Sequence, residues 1–195
     1  MIPIRCSARR VLATSAVSAL LAIQVLQGEQ DKPAVPAPLP PVTILFVRHA
    51  ETAADTRTGA DPELSAAGAV RARALDHLLQ KSAVTHLFAT EYRRTQATLA
   101  PLAKRTGLKT TVLPARAVER QLAALRALPA GSVAVVAGHS NTVPQMVAAL
   151  GVRVAGLTKS GTIEHSTYQR AFLLTRAKGI APKLLELTVG QAAGR

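Results

Sequence analysis

Tryptophan is absent from this chain, and aromatic residues of all kinds make up only 3% of it. The interior must therefore be assembled from leucine, valine, isoleucine and alanine. The scarcity also removes the stacking platform on which single-stranded nucleic acids are usually held, and no block of lysines replaces it, so no nucleic-acid partner is expected. Cys6 is the single cysteine, which rules out both a disulfide framework and a thiolate metal site. Acids are scarce as well: 11 stand against 24 lysines and arginines, for a net charge of +13. That imbalance favours anionic partners on electrostatic grounds.

What is present divides into three stretches. Arg5, Arg9 and Arg10 precede an apolar, charge-free run from Val11 to Leu26, and polar residues follow from Gln27. A cationic start ahead of an apolar middle is the layout of an export signal. The run is shorter than the roughly 20 residues a spanning helix uses. Residues 1–28 therefore read as a signal peptide or, uncleaved, as an N-terminal membrane anchor. Either way the protein is expected to be exported, to a periplasmic or other extracytoplasmic place. Pro33, Pro36, Pro38, Pro40 and Pro41 make residues 29–41 an extended linker. A single domain is expected over 42–195, long enough to enclose a core of its own.

Within that domain, short apolar runs alternate with helical patterns. Strands are expected at about Val42–Val47, Val84–Ala89, Leu108–Leu113 and Val133–Ala137, with two more at about Tyr168–Thr175 and Leu184–Val189. Helices are expected at about Ala66–Gln80, capped by Ser65, and from Thr90 as cap to Thr106, stopped by Gly107 and kinked or restarted at Pro101. Two further helices run through Val118, Leu122 and Leu125, and from Asn141 as cap to Leu150. In the first helix, Val70, Ala74, Leu75, Leu78 and Leu79 form the apolar stripe, leaving Arg71 and Arg73 at the surface. Strand and helix in alternation imply an α/β fold of three layers, with a mostly parallel central sheet and an antiparallel edge.

The chemistry gathers where strands end. Arg48-His49 follows the first strand, and Gly138-His139 follows the fourth. Parallel strands end on one edge of a sheet, where ligands of open α/β folds bind. Arg94, one turn into the helix after the second strand, faces the same edge. Two guanidinium forks and two imidazoles around one point suit a tetrahedral dianion, and helix N-termini add N–H donors. Two nearby arginines would oppose a metal held by His49, His139 and Glu51, so no metal and no cofactor are expected.

Three ordered motifs carry a resemblance: Arg48-His49-Ala50-Glu51-Thr52, then Thr90 with Arg94 and Thr98 at four-residue spacing, then Gly138-His139-Ser140-Asn141-Thr142. Together with Leu64-Ser65-Ala66-Ala67-Gly68, they resemble the histidine phosphatase superfamily, with its phosphoglycerate-mutase-like fold, over about Val42 to Val189. Ala50 stands where that family has Gly, and Ser140 where some members have Asp. The resemblance implies a phosphomonoester hydrolase acting on a small phosphorylated substrate. His49 would be the nucleophile, forming a phosphohistidine. Arg48, Arg94 and His139 would hold the phosphoryl oxygens, with Ser140 as a further phosphate donor. Glu51 and Glu119 are the candidates for the acid that protonates the leaving group. Other readings are a non-catalytic phosphate-binding or envelope-associated protein on the same fold, or a phosphoglycerate-mutase-type phosphotransferase. The pocket walls are expected from Ala53–Glu63, Arg116–Arg120 and Val152–His165.

Overall fold

A computed structural model describes residues 39–53 and 61–190. The expected leader and most of the proline-rich linker lie outside these residues, as do seven positions of the Ala53–Glu63 loop. Among the described residues, no helix is long and apolar enough to cross a membrane.

Six strands form one sheet in the order β3-β2-β4-β1-β5-β6: β1 (Val42–Arg48), β2 (His86–Thr90), β3 (Thr110–Leu113), β4 (Val133–Gly138), β5 (Arg170–Ala177) and β6 (Ile180–Thr188). The first four are mutually parallel, and β5 joins β1 antiparallel, with β6 paired to β5 in turn. Among the described residues, four helices cover the sheet: α1 (Ala66–Leu78), α2 (Arg93–Thr106), α3 (Val118–Arg126) and α4 (Thr142–Ala149).

Each central strand is apolar on both sides, so each supplies two cores. Ile44 and Phe46 of β1, with Val136 of β4 and Phe172 of β5, meet Leu122 and Leu125 of α3 and Val147 of α4. Leu45 and Val47, with Val135, Leu87 and Ala171, meet Leu75 of α1 and Leu99 and Leu102 of α2 on the opposite face. The division follows from crossover handedness. The chain steps outward from β1 to β2 to β3 over one face, then reverses to insert β4 between β2 and β1. Right-handed crossovers require the reversed step to pass over the other face.

The expected elements are present, and four details differ. Pro101 sits inside α2, which continues unbroken from Arg93 to Thr106 before Gly107 closes it at φ +72°. Thr90 belongs to β2, and Tyr92 occupies the cap position of α2 without a side-chain bond. Asn141 occupies the cap position of α4, also without a side-chain bond. The buried face of α1 is Gly68, Arg71, Ala72 and Leu75, whereas Val70 and Leu78 are exposed. A charged residue can turn inward there because Glu51 waits for it.

Candidate active site

The sheet register sets the positions of the two histidines. Arg48 of β1 lies opposite Gly138 of β4, and the backbone N–H of His49 donates to the Gly138 carbonyl at 2.9 Å. His49 and His139 therefore leave adjacent parallel strands at the same level. Their rings meet edge to face with centroids 5.5 Å apart.

His49 is buried, with 8% of its surface exposed. Its Nδ1 lies 2.8 Å from the Ala50 carbonyl oxygen. A carbonyl can only accept, so Nδ1 must carry the proton, and the lone pair belongs to Nε2. Burial lowers the pKa of His49 to about 4, helped by the positive charges of Arg48 and Arg94, against the opposing pull of the Ala50 carbonyl. Burial and then Arg94 lower His139 likewise, to about 4. Both rings are thus neutral near pH 7 in the ligand-free protein. His139 Nε2 bonds the Thr90 hydroxyl at 3.0 Å, which leaves Nδ1 as the nitrogen for a ligand.

Ala50, in the place of the family's glycine, is fully buried and accommodated. Its N–H donates to the Thr98 hydroxyl at 2.9 Å, and that hydroxyl donates in turn to the Arg94 carbonyl at 2.7 Å. The last threonine of the second motif thus ties the loop after β1 to the first turn of α2.

Each arginine lies over a tyrosine that sequence reasoning passed over. The Arg94 guanidinium carbon is 4.2 Å from the centroid of Tyr92, whose ring stands edge-on to His139 at 5.2 Å. Arg48 lies 4.1 Å from the centroid of Tyr168, whose ring is 6.0 Å from that of His49. Such stacking holds a flat cation in one plane. Tyr92 lay within the second motif at an unassigned position. Tyr168 had no local signal, because β5 brings it to His49 from far along the chain.

Arg48 is 5% exposed, and burial lowers its pKa. One terminal nitrogen donates to the carbonyls of Glu164, His165 and Thr167, the best of these at 2.7 Å, and the other meets His165 Nδ1 at 3.3 Å. Its Nε is buried with no partner among the described residues. Arg48 itself is not part of the cleft wall. Arg94 meets Asp61 at 3.2 Å, and Asp61 also accepts from the Arg93 backbone N–H at 2.7 Å. Asp61, from the loop ahead of α1, therefore reaches Arg94, a contact that its sequence position did not announce.

Neither acid candidate is placed to give a proton. Glu51 forms a fork with Arg71, at 2.5 Å in the shortest contact, and this pair holds its carboxyl below the usual range against the opposing effect of burial. A carboxylate kept charged by a guanidinium has no proton to donate. Arg71, expected at the surface, is 9% exposed and also donates to the Val189 carbonyl. Glu119 is exposed on α3 and is not part of the cleft wall. Among the described residues, no three histidine, cysteine or acidic side chains converge as a metal cage.

The cleft has a volume of about 540 Å³, and His49, Arg94, His139, Ser140 and Tyr92 form one part of its lining. Ser140 makes no side-chain bond among the described residues, while its carbonyl accepts from Ile163 N at 2.9 Å. Arg116 and Val118 also line the cleft, as expected of their stretch, whereas no residue of Val152–His165 does. That segment instead ends in two of the three carbonyls that Arg48 grips, those of Glu164 and His165.

The family model described as histidine phosphatase superfamily (branch 1) matches residues 44–124. No curated protein sequence matches the chain. Among solved structures, the protein histidine phosphatase SixA complexed with tungstate superposes with a TM-score of 0.60 at 21% identity, covering 75% of this chain and 96% of that one. Mycobacterial glucosyl-3-phosphoglycerate phosphatase gives 0.56 at 19% identity, covering 76% and 99%. The same mycobacterial enzyme complexed with VO3 gives 0.57 at 18% identity over 76% and 99%. The fold is theirs.

Proposed function

We propose that this chain, by its motifs and its fold a member of the histidine phosphatase superfamily, hydrolyses small phosphomonoesters through a phosphohistidine on His49. The observation that carries this reading is the tautomer of His49. Its Nδ1–H is committed to the Ala50 carbonyl, so the Nε2 lone pair is the reactive one, and the ring is neutral at pH 7.

In the first step Nε2 attacks phosphorus, the bond from phosphorus to the ester oxygen breaks, and the departing oxygen takes a proton from water. In the second step water attacks the phosphohistidine, the P–N bond breaks, and orthophosphate leaves. Arg48 and Arg94 stabilise the charge on the phosphoryl oxygens, with His139 and Ser140 as further ligands; Arg94, His139 and Ser140 do so from the cleft wall. Neither Glu51 nor Glu119 supplies the leaving-group proton, so esters of acidic alcohols are the better substrates. Structural relatives are complexed with tungstate and with VO3, which supports an oxyanion as the ligand of this chain too. With the leader-like segment at 1–28, the reaction is assigned outside the cytoplasm.

The test is turnover of p-nitrophenyl phosphate by the purified protein, together with labelling from a phosphorus-labelled substrate under alkaline detergent quench. The expected result is label that is stable in base and lost in acid, with His49→Ala losing both label and turnover by roughly 10³-fold or more, as a missing covalent nucleophile does. Label on serine, or turnover that survives His49→Ala, would overturn the assignment.

A further inference from the structure

At about 540 Å³ the cleft is larger than a phosphoryl group needs, and its wall carries a second arginine besides Arg94. Arg116 lines it from the turn between β3 and α3, is exposed, and makes no hydrogen bond or ion pair among the described residues. The cleft wall contains Arg94 and Arg116 and no carboxylate.

The turn that bears Arg116 is held from three sides. The Ala115 backbone N–H donates to the Glu91 carboxylate at 2.7 Å. The Gln121 amide, 5% exposed, donates to the carbonyls of Pro114 at 2.9 Å and Ala115 at 3.3 Å. Ala117 N–H closes the turn onto the Pro114 carbonyl at 3.0 Å. A surface arginine on a free loop needs no buried amide and no carboxylate to hold the backbone beneath it. Here the stem is fixed and only the charged end is left without a partner, which is the arrangement of a preorganised ligand contact.

The geometry points to Arg116 as a subsite for a second anionic group on the substrate: the preferred phosphomonoesters carry a carboxylate or another anion on the alcohol part, bound by Arg116 while the phosphoryl group sits at His49. This rests on the phosphatase reading above and narrows its substrate class. Guanidinium binds carboxylate and phosphate through the same planar fork, so either group would serve.

Matched probes isolate the subsite. The 2-, 3- and 4-(carboxymethyl)phenyl phosphates have phenolate leaving groups close in acidity to phenol itself, differ in where the second charge lies, and have phenyl phosphate as the parent with one anion. For the full chain, the kcat/KM of at least one isomer should exceed that of phenyl phosphate by tenfold or more. In Arg116→Gln that ratio should fall to within twofold of one, whatever happens to the phenyl phosphate rate itself, and Arg116→Lys should restore part of it. The same four compounds are then titrated calorimetrically into His49→Ala and His49→Ala/Arg116→Gln, where no turnover is needed. Preferential binding of a carboxylated isomer, lost with Arg116, supports the subsite even if no substrate is hydrolysed. A wild-type protein that treats all four alike, or a preference that survives Arg116→Gln, overturns the subsite. Absence of turnover with intact preferential binding overturns the phosphatase reading alone.

Discussion

A proton on the wrong nitrogen would leave His49 with its lone pair aimed at a carbonyl. The Ala50 oxygen prevents this, and the Thr98 hydroxyl beneath Ala50 keeps that peptide in place. Burial and two arginines then keep the ring unprotonated well below neutrality. The consequence is measurable in the pH dependence of kcat/KM, which reports the free enzyme. Corrected for the substrate's own second ionisation, kcat/KM should stay nearly flat from pH 7 to pH 5.5. A histidine titrating at its ordinary value of 6.5 would lose about tenfold over that range, so a loss of that size would show that His49 is not held neutral.

Between residues and fold stand the packed elements, and the loop after β1 depends on one close approach. Gly68 lies in the first turn of α1, where an added Cβ would come within 2.0 Å of the Glu51 carbonyl oxygen, a backbone atom that cannot swing aside. The Ser65 N–H donates to that same carbonyl at 2.9 Å, and the Ser65 hydroxyl accepts from Gly68 N at 3.1 Å. Gly68→Ala should therefore destabilise the protein by about 2 kcal/mol or more, as overpacking against backbone does. It should also lower kcat by pushing the segment after His49 out of position. Urea unfolding with parallel steady-state kinetics checks both, and a variant of wild-type stability and rate would refute the close approach.

The same elements show what was legible along the chain and what was not. The strand ends at Arg48 and Gly138, the αL stop at Gly107 and the edge character of β6 all follow from local composition, because each depends on a few neighbouring residues. The inward turn of Arg71 does not. It depends on Glu51, 20 positions earlier, and on the Val189 carbonyl, 118 positions later. Helical periodicity alone assigns a cation to the solvent face. For the same reason the Tyr168 platform and the Asp61 contact escaped, since each pairs residues far apart in the chain; Tyr92, two positions before Arg94, was within reach of the motif.

Over the whole molecule, two buried neutral imidazoles set a pH dependence of stability. His49 and His139 have folded values of about 4, below the 6.5 of an exposed imidazole. The unfolded chain therefore binds protons as pH falls from about 6.5 toward 4 while the folded chain does not, so folding stability is complete above about 6.5 and drains away below it. At pH 5 the loss is on the order of 2 kcal/mol per ring, a large fraction of the 5–15 kcal/mol that holds a typical domain together. Urea midpoints measured at pH 7 and pH 5 should show this drop, and His139→Gln should remove roughly half of it. An equal drop in the variant would mean that His139 is already protonated in the folded protein.

From the order of its residues alone, this chain dictates alternating strands and helices, a basic surface, and an arginine and a histidine at the end of one strand with a second histidine at the end of another. Those follow from side-chain periodicity and composition, which act over a few residues at a time. Only the folded sheet decides that β4 inserts beside β1, so that the two imidazoles stand 5.5 Å apart. It also commits Glu51 to Arg71, and holds Arg116 on the wall of the same cleft. The physical reason is that proximity across strands, burial and the loss of water that shifts a pKa are properties of packing, and packing exists only once distant segments have met.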